Sequence, residues 1–325
     1  MRAVIPVAGV GTRLRPHTYS LPKVLLNVAG KPILAHILDA LKQYGISKVT
    51  IITGYMGKLV EEYVTEHYDF DVSFVEQEER HGLGHAIWLA APTFDSEPLM
   101  IILGDTIFDV DLNSAIENGV SSLGVKAVED PRRFGVVVTN ENGIITKLVE
   151  KPQDPISNLV IVGIYHITNS KLLKSCLDEL IQKDIRTAGE YQLTDAMQLM
   201  IEKGEPFKTF PVEGWYDCGK PETLLSTNRF LLEKNNITQS YPDTIIIPPV
   251  YIAENAVVER CILGPYTSVA EGAIVTDSVI RDSIISEGAK VSLSLLERSI
   301  IGTNAVMKGQ FHRLNVGDSS EIKYA

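Results

Sequence analysis

Residues 2–54 read RAVIPVAGVGTRLRPHTYSLPKVLLNVAGKPILAHILDALKQYGISKVTIITG. The apolar run RAVIPVA (2–8), stopped by Gly9, predicts a buried first strand. PILAHILDALKQY (32–44) sets Ile33, Ile37, Leu38 and Leu41 on one helical face, with Pro32 opening the helix and Gly45 closing it. KVTIITG (48–54) predicts the next strand. A buried strand, a long polar loop, an amphipathic helix and a second buried strand together predict an α/β unit with parallel strands.

The rhythm continues outward from that unit. GKLVEEYVTEHY (57–68) predicts a helix, DVSFVEQ (71–77) a strand, GHAIWLAA (84–91) a helix, and LMIILGD (99–105) a strand that ends in an acid. Further strands are expected at 123–128, 135–139, 144–149 and 159–167, and helices at 170–183, 192–203 and 221–234. From about Ile245 the texture changes. Ile252, Val257, Leu263, Val269, Ile274, Val279, Ile284, Val291, Leu296, Ile301 and Val306 recur every five or six residues, with small or turn residues between them. That short period predicts a β-helix coil, which a helical period of 3.6 could not sustain. The expected organisation is a Rossmann-like, mainly parallel domain over 1–240, a short left-handed β-helix over 246–310, and a tail over 311–325. The boundary is placed in the polar stretch 236–245.

Composition narrows the class of function. The chain has 325 residues, 45% hydrophobic and 22% charged, which suits an ordered globular protein. A net charge of −11 disfavours nucleic acid and anionic membrane as partners, although a local basic pocket for a small phosphate is compatible with it. The three cysteines, Cys176, Cys218 and Cys261, form no CxxC pair, so neither a disulfide framework nor a zinc site is expected. No apolar run reaches membrane-spanning length, and the first strand starts at once. The expected location is cytoplasmic.

The loop AGVGTRLRPHTYSLPK (8–23) carries the chemistry. Gly9 and Gly11 allow backbone N–H groups to approach an anion, Thr12 adds a hydroxyl, and Arg13, Arg15 and Lys23 add positive charge to an acidic protein. No Gly-Lys-Ser/Thr follows, so this is not a Walker A loop. Leu14 stands where the dinucleotide fingerprint needs its third glycine.

Together with GLGHA (82–86), LGD (103–105), FGVV (134–137), EKP (150–152), GEYQLTDA (189–196) and WYDCG (215–219), this loop resembles the signature of the sugar-1-phosphate nucleotidyltransferases. The likeness covers essentially residues 1–235, and many members of that family also carry a β-helix behind the catalytic domain. It implies attack by a sugar phosphate on the α-phosphorus of a nucleoside triphosphate. Two polyanions must then meet, so catalysis is mainly charge neutralisation and alignment, with no general base required. By the resemblance Arg13 clamps the departing phosphates, Lys23 neutralises the α-phosphate region and Lys151 holds the sugar phosphate. Asp105 and Asp217 would carry Mg²⁺, a hard cation that prefers a few oxygen ligands.

The nucleotide is expected to contact Ala8, Gly9, Gly11, Thr12, Gln77, Gly82 and Leu83. The Gln77 amide could offer a donor and an acceptor to the O4/N3 edge of uracil or thymine. Glu150 and the backbones of Gly135 and Gly163 are expected at the sugar, where Val162 replaces a hydroxyl common in relatives. His17, His81 and His85 read as hydrogen-bonded loop or helix residues, and Cys218 as a small buried residue. The segments are split between uridylyl-type and thymidylyl-type patterns. The expected substrates are dTTP, with UTP also used, and glucose 1-phosphate. A nucleotide-sugar-binding regulatory subunit is the alternative of another class. Acyl transfer by the β-helix is disfavoured because His312 is its only histidine. The β-helix is expected instead to support a homo-oligomer.

Overall fold

The computed structural model describes residues 1–117, 119–234 and 241–310. Part of the polar stretch expected as a boundary, the expected tail and His312 lie outside the described residues. Two compact units are present: Met1–Leu26 with Lys31–Thr227, and Asn27–Gly30 with the chain from Asn228 onward.

In the first unit a four-strand parallel block comes from the repeating strand–helix pattern. It consists of β1 (Arg2–Pro6), β2 (Lys48–Thr53), β3 (Asp71–Glu76) and β4 (Leu99–Ile102), in the order β4-β1-β2-β3. The connections run through α1 (Ile33–Gln43), α2 (Gly57–His67) and α3 (Leu83–Ala90). Strand parity explains the unbroken apolar runs. Ala3, Ile5, Val49, Ile51, Met100 and Ile102 enter one core, while Val4, Ile52, Leu99 and Ile101 enter the other. A sheet covered on both faces needs apolar residues at both parities.

Beyond β4 the sheet is mixed. Strands β5 (Thr106–Asp109), β6 (Ser121–Ala127), β7 (Gly135–Thr139), β8 (Ile145–Glu150), β9 (Leu159–Ile167), β10 (Phe207–Pro211) and β11 (Gly214–Asp217) follow, with helices α4 (Ser170–Gln182), α5 (Leu193–Glu202) and α6 (Pro221–Lys234). The nine-residue β9 runs antiparallel to β4, β6 and β7. Its register shifts between Ile161 and Tyr165, around Gly163 at φ +95°. Of these strands, β5, β10 and β11 are not among those the sequence predicts. Each is short, and β5 with β11 forms a separate antiparallel pair whose partner lies about a hundred residues away in sequence. Local periodicity cannot reveal such a pair.

The second unit is a three-sided parallel coil spanning Ile245–Lys308, the stacked architecture of a left-handed β-helix. Strands of two or three residues stack into three four-stranded sheets. Its interior holds Ile252, Val258, Leu263, Val269, Val275, Ile280, Ile285 and Val291. Of the recurring aliphatic residues, Val257, Ile274, Val279 and Val306 face outward. In these three-residue strands the middle residue turns inward, as in Val257–Glu259 and Val279–Arg281. A recurrence of five or six residues fixes the coil but not this parity. Asn228, fully buried, ties its own unit together by accepting from the Ala29 N–H at 2.9 Å and donating to the Tyr266 carbonyl at 3.1 Å. Among the described residues, no helix is long and apolar enough to cross a membrane.

Candidate active site

A cavity of about 430 Å³ opens at the carboxyl ends of β1 and β4, where parallel α/β sheets hold ligands. Its lining brings together Ala8, Gly9, Gly11, Thr12, Arg13, Lys23, Gln77, Gly82, Leu83 and Asp105. Arg80, Glu190 and Gly219 also line it. Those three were not singled out in the sequence, although Glu190 and Gly219 fall inside quoted motifs.

The loop after β1 owes its path to Gly11. This residue sits at φ +66°, and an added Cβ would meet Lys23 Cβ at 3.0 Å and Thr18 Cγ2 at 3.1 Å. The Thr18 hydroxyl donates to the Gly11 carbonyl at 2.8 Å, and Leu14 N–H donates to the same oxygen at 2.9 Å. Gly9 instead faces open space on the cavity side, so nothing obstructs a ligand at its backbone. Lys23 is 6% exposed, and its Nζ lies 2.8 Å from Asp105 Oδ2. The Asp105 side chain is 46% exposed. The pair therefore joins a buried cation to an anion that still reaches water.

Asp217 comes to Asp105 through the β5–β11 pair. Asp217 stands opposite Thr106, and Cys218 N–H donates to the Asp105 carbonyl at 3.0 Å. A Cβ on Gly219 would meet Asp217 Oδ1 at 2.8 Å and Arg13 Nη2 at 2.9 Å. The absent side chain thus leaves room for Arg13 and Asp217 to flank one spot. Burial pushes the neighbouring Cys218 thiol up to about 12, so it is no nucleophile. Among the described residues there is no cluster of three or more His, Cys, Asp or Glu suited to a metal. Two hard carboxylates, partly solvated, fit an ion that keeps several waters, as Mg²⁺ does.

Gly82, at φ +106°, begins α3, where an added Cβ would lie 2.5 Å from the Tyr191 carbonyl oxygen. Gly84 N–H donates to that oxygen at 2.8 Å, and Tyr191 N–H donates to the His81 carbonyl at 2.8 Å. The GEYQL segment thus clamps the GLGHA turn. Gln77 is 6% exposed and donates from Nε2 to the Gly82 carbonyl at 3.2 Å.

The residues expected at the sugar form their own group. Thr194 Oγ1 donates to Glu150 Oε2 at 2.7 Å, and Lys151 Nζ lies 3.5 Å from Glu150 Oε1. A Cβ on Gly135 would meet Thr194 Oγ1 at 2.9 Å and Glu150 Oε2 at 3.1 Å. Lys151 holds φ +45°, a left-handed conformation unusual for a side-chain-bearing residue, and its N–H donates to the Phe134 carbonyl at 3.0 Å. None of Gly135, Glu150 and Lys151 lines that cavity. Gly163 lies behind the cavity wall, accepting from Leu103 N–H at 3.0 Å, and a Cβ there would strike Leu103 Cδ1 at 2.7 Å.

A glycine-rich loop, a buried lysine, a second cation and two acids, one after a parallel strand and one at the end of an antiparallel strand, suit the handling of phosphate. Residues 2–234 match the nucleotidyl transferase family model, and the chain belongs to that family. It is similar to the low-salt glycan biosynthesis nucleotidyltransferase of Haloferax volcanii, at 31% identity over 99% of this chain and 100% of that one. It is also similar to a glucose-1-phosphate thymidylyltransferase of Streptomyces griseus, at 29% identity over 99% of each chain. A solved UDP-glucose pyrophosphorylase complexed with UDP-glucose overlays with TM-score 0.61 at 25% identity, covering 72% of this chain and 98% of that one. The chain is a sugar-1-phosphate nucleotidyltransferase.

Proposed function

We propose that the protein transfers a nucleotidyl group from dTTP, with UTP also accepted, to glucose 1-phosphate. The convergence of Arg13, Lys23 and Asp105 on the Gly9–Gly11 loop, with Gln77 in the same cavity, carries this reading. An oxygen of the sugar phosphate attacks the α-phosphorus, the bond from that phosphorus to the bridging oxygen of the β-phosphate breaks, and pyrophosphate leaves. Arg13 neutralises the departing phosphates, Lys23 the α-phosphate, and Lys151 holds the incoming sugar phosphate beside Glu150, which binds sugar hydroxyls. Asp105 and Asp217 would hold Mg²⁺, which when bound neutralises triphosphate charge. The thymidylyl name of one relative and the UDP-glucose bound to another support a pyrimidine nucleotide. Initial rates of pyrophosphate release with dTTP, UTP, CTP, ATP and GTP against several hexose 1-phosphates test the reading. No release from any pairing would refute it.

A homo-oligomer belongs to the same proposal. Ile245, Ile262, Val279 and Leu295 stand in register on one outer face of the coil, with Leu295 83% exposed. Such an apolar ladder is suited to cover by a second copy. Light scattering that finds only a 35.8 kDa species would refute this part.

A further inference from the structure

Gln77 is the buried amide of the nucleotide cavity, and its two ends are not equivalent. Its backbone N–H donates to the Thr53 carbonyl at 2.9 Å, which fixes the residue at the end of β3. Its side-chain nitrogen has two hydrogens. One is directed at the Gly82 carbonyl, 3.2 Å away, and the other at His85 Nδ1, 3.3 Å away. Reversing the amide would set Gln77 Oε1 against the Gly82 carbonyl oxygen, acceptor against acceptor. The Gln77 carbonyl oxygen has no partner among the described residues, and Gln77 lines the cavity.

His85 is itself held in place. Its ring stacks at 5.8 Å on Trp88 and at 6.4 Å on Tyr191, and meets His81 edge-on at 5.1 Å. Those walls are anchored in turn. Trp88 Nε1 donates to Asp178 at 2.8 Å, Tyr191 donates its hydroxyl to Asp184 at 2.5 Å, and the Arg186 guanidinium lies 4.3 Å over the Tyr191 ring. Burial, with His81 and Arg186 nearby and only Glu79 opposing, holds His85 below the ordinary imidazole range. The neutral ring can therefore leave Nδ1 as an acceptor and carry its proton on Nε2.

We propose that His85 is a positioning residue that occupies the second N–H of Gln77, so that the cavity offers the base an acceptor and no amide donor. Leu83 lines the same cavity, and its N–H, at the start of α3, has no acceptor among the described residues, as expected for the first turn of a helix. A donor next to an acceptor complements a ring carbonyl beside a ring N–H. Uracil and thymine present that pair as O4 and N3–H. Cytosine presents an unprotonated N3, which would face the Gln77 oxygen lone pair against lone pair, so the device rejects cytidine nucleotides. On this proposal Gln77 offers the base its oxygen alone, in place of the donor and acceptor expected from its amide. The inference rests on the proposed pyrimidine triphosphate substrate and specifies which pyrimidine edge is read.

Two measurements test it. In the wild-type protein, nitrogen NMR of labelled histidine at neutral pH should find His85 Nδ1 unprotonated and Nε2 protonated. A protonated Nδ1 overturns the inference whether or not the protein turns over any nucleotide. In kinetics, His85→Ala frees the second N–H, and the ratio of kcat/KM for UTP over CTP should fall roughly tenfold or more. His85→Asn places an amide oxygen near the position of Nδ1 and should hold the ratio within about twofold of wild type. A merely structural role would lower both nucleotides together. An unchanged ratio in a folded, active His85→Ala overturns the inference and leaves the transferase reading intact. Absence of turnover by the wild type would refute that reading instead.

Discussion

Removing either member of the Lys23–Asp105 pair breaks the same 2.8 Å contact, yet the two losses should differ in size. The Lys23 side chain is 7% exposed and the Asp105 side chain 46% exposed. Asp105→Asn leaves the ammonium of a side chain that is only 7% exposed without its carboxylate partner. Stranding a buried charge costs about 3–5 kcal/mol, and the partial solvation at the cavity mouth lowers this to about 2–3 kcal/mol. Lys23→Met keeps the aliphatic volume and leaves a carboxylate that already reaches solvent. Its loss should stay near the value for an exposed pair, about 1 kcal/mol or less. Urea unfolding of both variants, read by tryptophan fluorescence and circular dichroism, gives the comparison. The double variant should recover part of the Asp105→Asn loss, since it removes the stranded charge. Equal losses, or a larger loss for Lys23→Met, would show that burial does not set the cost.

Gly82→Ala should raise the nucleotide KM about tenfold or more, because φ +106° and a Cβ 2.5 Å from the Tyr191 carbonyl force the GLGHA turn to move; nucleotide titrations check it. Lys48 and the N-terminal ammonium hold the Glu97 carboxyl at about 2, and Lys183 and Lys203 hold that of Glu179 at about 2. Depressed carboxyl pKa values stabilise fully above the unfolded value near 4.5 and lose that contribution as pH falls toward about 2. Denaturation midpoints should therefore decline across that window, and Glu97→Gln should flatten the decline. In the coil, Ile280→Ala should cost about 2–5 kcal/mol and Val279→Ala under about 1 kcal/mol, since Ile280 is fully buried and Val279 is 40% exposed. Chemical denaturation that ranks them the other way would reverse the assigned parity.

Much of the catalytic unit was legible because its signals are local. The apolar run before Gly9, the face set by Ile33, Ile37, Leu38 and Leu41, and the cations at Arg13 and Lys23 all lie within one short stretch. The acid at Asp105 could be read as a strand end for the same reason. Asp217 is different. Its residue type was visible, but its approach to Asp105 depends on β11 pairing with β5, and neither strand announces itself by periodicity. Arg80 lines the cavity, although nothing near it in sequence indicates this. In the coil the recurrence of aliphatic residues was evident, whereas the choice of Val258 over Val257 was not.

The sequence alone determined the order of elements, the chemistry gathered in the first loop and the presence of a repeating coil. Each follows from residue type and short-range spacing, the scale on which turns, helical faces and strands are chosen. Tertiary structure decided which groups meet: Lys23 with Asp105, Asp217 beside Arg13, and Tyr191 against Gly82. It also decided that the Gln77 amide nitrogen turns to the Gly82 carbonyl. These are settled by hydrogen-bond partners and excluded volume brought from distant strands and helices. An amide or an aliphatic side chain carries no record in its own neighbourhood of the direction in which it will point.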